Sequence, residues 1–321
     1  MTTRIELLRI LSDGNFHSGT DLGRTLGLTR AAISKAVGRL GAAGLTIHRV
    51  AGRGYRLAQP CAPLDAGRIR AALARSDIAI EVYDEIDSTS LHLLRCPADS
   101  VDRRVCLAEF QTGGRGRRGR AWMASPYQNL MLSMARRFDG GPARTAGLSL
   151  AAGVAVAHTL REYGAAGVGI KWPNDLLWQG RKLAGILVDL RGEADGPTLA
   201  VIGVGVNGAL SEREAAAIDQ PWVALAGITG AAVDRNRLAA LLIDALAEMF
   251  ERFAREGLGP FRADWERYDF YAGRRVRLEA GGEHFDGEAA GIDAQGALLL
   301  RDARGGLRAF HAGEVSLRPA P

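Results

Sequence analysis

At 321 residues the chain is longer than the ~100–200 residues of one ordinary domain, so two or three folded units are expected. An apolar share of 47% beside 24% charged residues argues against wholesale disorder, collagen-like repetition and a small disulfide scaffold. The net charge of +5 is unevenly placed: residues 1–60 hold nine Lys/Arg against three Asp/Glu, and the rest of the chain holds 32 against 33. A small basic module on a near-neutral body points to a polyanionic partner for the module and separate work for the body.

Apolar runs such as 148–160, interrupted by His158, are too short for a membrane span of ~20 residues. No charged segment, apolar stretch and small-residue cleavage site opens the chain, so a cytoplasmic protein with no membrane partner is expected. Cys61, Cys96 and Cys106 form no C-x-x-C spacing and suggest neither a disulfide framework nor a zinc site. Only three of the 41 basic residues are lysines, Lys35, Lys171 and Lys182. Each is a candidate for work that suits a point charge better than a guanidinium fork, the alternative for any one being a remnant of codon bias.

In chain order, Ile5, Leu7, Leu8, Ile10 and Leu11 recur at helical spacing and stop at Ser12-Asp13-Gly14. Residues 17–20 offer hydroxyl caps to a second helix carrying Leu22 and Leu26, which Gly27 ends. Thr29 caps a third helix with Ile33, Ala36, Val37 and Leu40 on one face and Ser34, Lys35 and Arg39 on the other, Arg30 standing at its corner. This is a helix-turn-helix pattern, and residues 47–57 read as a β-hairpin wing with Arg53 at its tip. Arg30, Lys35, Arg39 and Arg53 would contact phosphates and Ser34 would approach base edges. The plainer reading of the third helix is a solvated face of a small bundle. A proline-containing linker is expected at 59–63.

From about 64 to 271, strand-like stretches at 80–83, 105–109, 130–135, 168–171, 183–190 and 199–206 alternate with long helices at 146–163 and 237–255. A large mixed or antiparallel sheet with helices fits, and Gln179-Gly180 between apolar runs predicts a hairpin. The segment Gln111-Thr112-Gly113-Gly114-Arg115-Gly116-Arg117-Arg118-Gly119-Arg120-Ala121-Trp122 reads as a mobile anion-binding loop: glycines free backbone N–H groups and arginines add bidentate donors. It is neither a P-loop nor a dinucleotide fingerprint, and a disordered Arg-Gly linker is the competing reading. Lys171-Trp172-Pro173-Asn174-Asp175-Leu176 puts an ammonium at a strand end, and Lys182-Leu183-Ala184-Gly185-Ile186-Leu187 follows. Gly203-Val204-Gly205-Val206-Asn207 ends another strand; its glycines serve either a ligand's approach or tight backbone packing.

Gly114 to Arg120, Lys171 to Leu176 and Lys182 to Leu187 together resemble the signatures of biotin protein ligases, and the N-terminal module makes the chain similar to the subgroup that unites ligase and biotin operon repressor. The resemblance covers essentially the full length. It implies an α+β multidomain fold: a winged helix-turn-helix at 1–60, a class II synthetase-like catalytic domain with a mixed sheet at 64–271, and a small SH3-like β-barrel at 272–321, expected from short β-like pieces at 275–278, 297–300, 307–310 and 315–317.

Carried over residue by residue, the resemblance places Ser88, Thr89, Ser90 and Gln111 at the biotin head group, with Gly185 and Leu187 lining its pocket. It places Arg115, Gly116 and Arg117 over biotin's carboxylate and the adenylate phosphate, with Arg118 and Trp122 on the adenylate side, Asn207 near the phosphates, Lys171 at the reacting carboxylate and α-phosphate, and Lys182 toward the triphosphate. Ser90 stands where asparagine is expected and Ala121 where a basic residue is expected. The implied reaction consumes ATP with Mg²⁺ and biotin through biotinoyl-5′-adenylate, with no bound prosthetic group and no dedicated protein metal site, catalysed chiefly by Lys171, Arg115 and Arg117. The implied partners are a biotin carboxyl carrier protein, operator DNA and a second copy of the chain in a ligand-linked homodimer. The competing classes are a ligand-sensing repressor without turnover and a lipoate-type ligase.

Overall fold

The computed structural model describes residues 3–42, 44–58, 61–98, 100–209, 220–280, 282–311 and 315–319. At the N-terminus α1 (Thr3–Leu11), α2 (Gly19–Leu26) and α3 (Arg30–Ala42) bury Leu7, Leu8, Leu11, Leu22, Ile33, Val37 and Leu40 in one cluster, the periodic positions of the sequence. Ser18 caps α2 by accepting from Asp21 N, and Thr29 Oγ1 accepts from Ala32 N at the start of α3. The turn between them demands glycine twice. Gly27 ends α2 in the left-handed region at φ 64°, and a Cβ on Gly23 would lie 2.5 Å from Leu28 O. β1 (Ile47–Val50) and β2 (Gly54–Leu57) then pair antiparallel as the expected wing. Of the expected linker, Gln59 and Pro60 lie outside the described residues.

After α4 (Ala66–Ala72), the central sheet is built from β3 (Ala79–Ile86), β4 (Arg104–Gln111), β5 (Leu130–Phe138), β6 (Val168–Lys171), β7 (Asp175–Trp178), β8 (Arg181–Gly192) and β9 (Thr198–Val206). The order is β3-β4-β5-β9-β8-β7-β6, with β3 parallel to β4 and every other neighbour antiparallel. The sheet is therefore mixed, and the β7–β8 hairpin turns at Gln179 and Gly180, both with positive φ, as its sequence predicts. Strand alternation sends successive residues to opposite faces. Val105 and Leu107 join the large core that α6 (Leu148–Glu162) and a 22-residue α8 (Arg235–Glu256) complete. Cys106, Ala135 and Val201 face the other way and pack with Leu93 of α5 (Thr89–Arg95). The short α7 (Leu225–Thr229) precedes α8, and α9 (Arg262–Tyr268) follows it.

The C-terminal strands β10 (Arg275–Ala280), β11 (Glu283–Ile292), β12 (Leu298–Arg301), β13 (Leu307–Phe310) and β14 (Val315–Pro319) form an antiparallel sheet in the order β13-β12-β11-β10-β14. Its longest strand, β11, has no counterpart among the expected pieces, because Glu-His-Phe-Asp-Gly-Glu hides the alternation that tertiary pairing enforces. Val276, Leu278, Ile292 and Leu298 join the core of the central sheet rather than forming one of their own, and Trp172 Nε1 donates to Gly296 O at 3.1 Å. Among the described residues no helix is long and apolar enough to cross a membrane.

The winged helix docks on the central body through Tyr127. This tyrosine is 2% exposed, packs in the N-terminal cluster, and takes a φ of 63° that a bulky side chain rarely adopts. Its hydroxyl donates to Asp84 Oδ1 at 2.6 Å, whose other oxygen accepts from Arg4 of α1 at 3.0 Å, and burial together with Asp84 pushes the phenol pKa up. Tyr127→Ala should cost ~3 kcal/mol or more through the cavity left behind, and should expose the linker near residue 61 to faster proteolysis. Tyr127→Phe should lose only the hydrogen bond to a charged acceptor, ~1.5–3 kcal/mol. Wild-type unfolding and cleavage in both variants would show that the ring does not hold this seam.

Candidate functional site

The site is a trough on the face of the sheet that carries α5. Its floor is made by two cross-strand pairs of β8 and β9, Gly185 opposite Gly205 and Leu187 opposite Gly203. The glycines answer to the two side chains above them. A Cβ on Gly205 would stand 2.4 Å from Trp122 Cε2, one on Gly185 3.0 Å from Trp122 Cζ3, and one on Gly203 2.7 Å from Ser90 Oγ. Close approach therefore explains all three, and the indole of Trp122 is what covers the Gly185–Gly205 floor.

One end of the trough is a nest of hydroxyls. Ser88 caps α5 through Leu91 N, and Thr89 and Ser90, at 3% and 5% exposure, open the helix. Gln111, the last residue of β4, accepts from Thr89 N at 2.8 Å and from Thr89 Oγ1 at 3.1 Å. The structure adds Ser133 of β5, fully buried, 2.7 Å from Thr89 Oγ1 and 3.0 Å from Ser90 Oγ. Its only sequence signal is a lone hydroxyl in an apolar strand.

The arginine–glycine segment is folded down over the trough as a small hairpin. Thr112 N and Gly113 N bond to Ile86 O and Asp87 O, Gly116 N to Arg120 O at 2.7 Å, and Trp122 N to Gly114 O at 2.9 Å. Arg118 and Gly119 turn the chain with φ of 59° and 71°. Arg115 donates to Asp189 Oδ2 of β8 at 2.6 Å; burial pushes the Asp189 carboxyl pKa up, with Arg115 pulling against it. Asp189 escapes sequence reasoning because it sits in an apolar strand without a motif. Arg117, half-buried, donates to Asn174 Oδ1 at 3.3 Å; burial lowers its pKa while Asp175 opposes. Gly116 lies between these anchored arginines, whereas Arg118 is exposed.

Lys171 ends β6 opposite Asp175, at the turn made by Trp172, Pro173 and Asn174. Asn174 ties that turn to β8, since its Nδ2 donates to Ile186 O and its carbonyl accepts from Ile186 N, both at 2.9 Å. Lys182 lies 2.8 Å from Asp175 Oδ1 and 5.5 Å from the centre of the Trp122 ring. Asn207 is buried at 4% exposure with its amide spent on the carbonyls of Lys182 and Val223, leaving its oxygen to offer a ligand. Among the described residues no three His, Cys, Asp or Glu side chains gather to hold a metal ion. In the N-terminal module Arg30, Ser34, Lys35 and Arg39 stand exposed along α3, and Arg53 is exposed with its guanidinium 4.3 Å from the Phe16 ring centre.

Gly205→Ala should evict the indole, because β9 is paired on both sides and its backbone has nowhere to retreat. The expected result is faster tryptic cleavage within 115–120 than in wild type; equal rates would mean that Trp122 does not pin the loop.

Comparison with known proteins matches three family descriptions along the chain: HTH domain over residues 3–56, Biotin/lipoate A/B protein ligase family over 86–207 and Biotin protein ligase C terminal domain over 271–318. The bifunctional ligase/repressor BirA of Escherichia coli (strain K12) is 43% identical across 99% of this chain and 98% of its own length. A biotin--[acetyl-CoA-carboxylase] ligase of Mycobacterium tuberculosis is 36% identical across 79% of this chain and 95% of its own. The solved biotin protein ligase from Aquifex aeolicus in complex with biotin and ATP superposes with a TM-score of 0.65 at 26% identity, covering 75% of this chain and 99% of that one. With the winged helix, the mixed sheet and the C-terminal sheet all in place, the chain belongs to the family of bifunctional biotin protein ligases and repressors.

Proposed function

We propose that this chain activates biotin with ATP and passes it to a lysine of a biotin carboxyl carrier protein, and that the adenylate it makes governs operator binding by the winged helix. The observation that carries the reading is the trough itself: neutral donors and acceptors at the Ser88–Gln111 end, cations at Arg115, Arg117 and Lys171, and a glycine floor between. A molecule with a polar uncharged head, an apolar middle and a carboxylate tail fits that sequence of environments.

The reaction then needs two anions brought together. Biotin's carboxylate attacks the α-phosphorus and pyrophosphate leaves; a lysine amine of the carrier attacks the mixed anhydride and AMP leaves. Lys171 and the two arginines neutralise charge that builds on the phosphate oxygens, and positioning supplies the rest of the rate. Mg²⁺ held by the nucleotide's phosphates would add to that charge neutralisation. The folded loop keeps water from the anhydride.

Lys171→Arg should cut biotin-dependent pyrophosphate release by ~10²-fold or more, the scale for losing one preorganised donor, because a planar fork cannot occupy a point position. Near-wild-type release would remove Lys171 from the chemistry, and failure of the wild-type chain to form biotinoyl-adenylate by mass spectrometry would overturn the ligase reading altogether. The alternative of a sensor without turnover is separated by the same measurement.

The regulatory half rests on the exposed basic face of α3 and the wing arginine. One winged helix with a few phosphate contacts binds weakly at physiological salt, so a symmetric pair on a palindrome supplies the affinity. Sedimentation should show self-association that strengthens with biotin plus ATP, in step with operator binding. A monomer unchanged by ligand, or tight DNA binding that ignores it, would separate the two activities.

A further inference from the structure

The hydroxyl nest has a direction, and one backbone group sets it. The N–H of Thr89 can only donate, so the Gln111 atom 2.8 Å away must be its carbonyl oxygen Oε1. That oxygen also faces Thr89 Oγ1 at 3.1 Å and can only accept, which commits the threonine's single proton to it. Toward Ser133, 2.7 Å away, Thr89 Oγ1 is left as an acceptor, so the Ser133 proton goes there. Ser133 in turn can only accept from Ser90 at 3.0 Å, and the Ser90 proton is spent as well. The chain of donation runs Ser90 to Ser133 to Thr89 to Gln111 without a branch.

Two consequences reach the trough. Ser90 Oγ, lying over the Gly203 floor, and Thr89 Oγ1 have no proton left for a ligand and present lone pairs. The Gln111 amide nitrogen, forced away from Thr89, points toward Gly114 with both protons available, and Ser88 Oγ, which accepts from Leu91 N, keeps its own proton. Acceptors and donors are thus presented side by side, the complement of a cyclic urea with a carbonyl flanked by N–H groups.

We propose that Ser133 is a specificity-determining positioning residue: by absorbing the Ser90 proton in the buried interior of β5, it makes the pocket floor accept hydrogen bonds from the ligand instead of donating them. The inference rests on the biotin reading above and concerns a residue two steps removed from the motifs. It also gives Ser90, which stands where asparagine is expected, a defined part in this chain's pocket.

The test compares biotin with an analogue in which one ring N–H is replaced by oxygen, turning a donor into an acceptor. Wild type should prefer biotin by ~10³-fold or more in kcat/KM, since a site built around a ligand's N–H rejects the ligand that lacks it. In Ser133→Ala the Ser90 proton has no internal acceptor and turns to the ligand. Biotin should then lose ~10-fold, mainly through KM, while the analogue gains several-fold in absolute kcat/KM. General damage to the pocket cannot produce a gain for the wrong ligand. Adding Ser90→Ala should abolish the gain, and Ser133→Cys, which keeps the volume in case the alanine variant folds poorly, should move the preference in the same direction by less. Equal losses for both ligands, or a gain that survives removal of Ser90, would overturn the role of Ser133. An absence of adenylate from wild type with biotin would instead overturn the reading beneath it.

Discussion

The ion pair between Arg235 and Glu109 is the joint on which the arrangement of domains depends. Both side chains are almost wholly buried, at 3% and 1% exposure, and meet at 2.5 Å. Two charges removed from water cost several kcal/mol each unless their remaining hydrogen-bonding capacity is filled. Here Arg235 also donates to Ala62 O at 2.7 Å and Asn129 O at 3.3 Å, and Glu109 accepts from Leu64 N. Asn236 completes the set, its amide donating to Pro63 O and its oxygen accepting from Asp65 N. The segment leaving the winged helix is therefore fixed, group by group, to the start of α8 and the middle of β4. The described part of the proline-containing linker expected at 59–63 continues, over 61–65, as a docked strap.

Why such a joint is invisible in the sequence follows from what the sequence advertises. Motifs stand out when they interrupt a pattern: glycines among arginines at 113–120, a lysine at a strand end in a lysine-poor chain, a basic face on α3. The mixed sheet, the hairpin at Gln179-Gly180 and the helix-turn-helix are legible for the same reason, since periodicity and turn chemistry are local. Arg235 is one of 38 arginines and stands at the positive end of a helix, where a cation is ordinarily disfavoured. Only the distant Glu109 makes its place intelligible. Ser133, Asp189 and Tyr127 share this character. Each does its work through a partner 43 to 74 positions away, Ser133 with Thr89, Asp189 with Arg115 and Tyr127 with Asp84, and none carries a local signature.

The glycines of β8 and β9 show how far spacing can go and where it stops. Close ligand approach and tight backbone packing both predict glycine at 203 and 205, and nothing local separates them. The structure resolves the choice by supplying the neighbours: an indole over Gly185 and Gly205, and a serine hydroxyl over Gly203. Trp122 Nε1 has no hydrogen-bond partner although it is buried, so the ring is held on the floor by contact area and by Lys182 above it. Departure of the indole would break no hydrogen bond of its side chain.

That freedom is bounded on one side. Between Trp122 and the anchored Tyr127 lie Met123, Ala124, Ser125 and Pro126, with no glycine to absorb a change of direction. Ser125 and Pro126 are buried, and Ser125 O accepts from Gln128 N and Asn129 N. Beyond Tyr127, Gln128 Nε2 reaches Gly44 O in the winged helix, and Asn129 Oδ1 accepts from Gly208 N at the end of the trough's own strand. A loop that re-seats over a ligand must therefore take up its movement within 113–124, because the residues that follow are held at once by the N-terminal core, the sheet and the Arg235 joint. The arginine–glycine stretch has the composition to do this, with four glycines in eight residues. Its exit through Tyr127 places Trp122, at the floor of the candidate site, within five residues of the core of the winged-helix module.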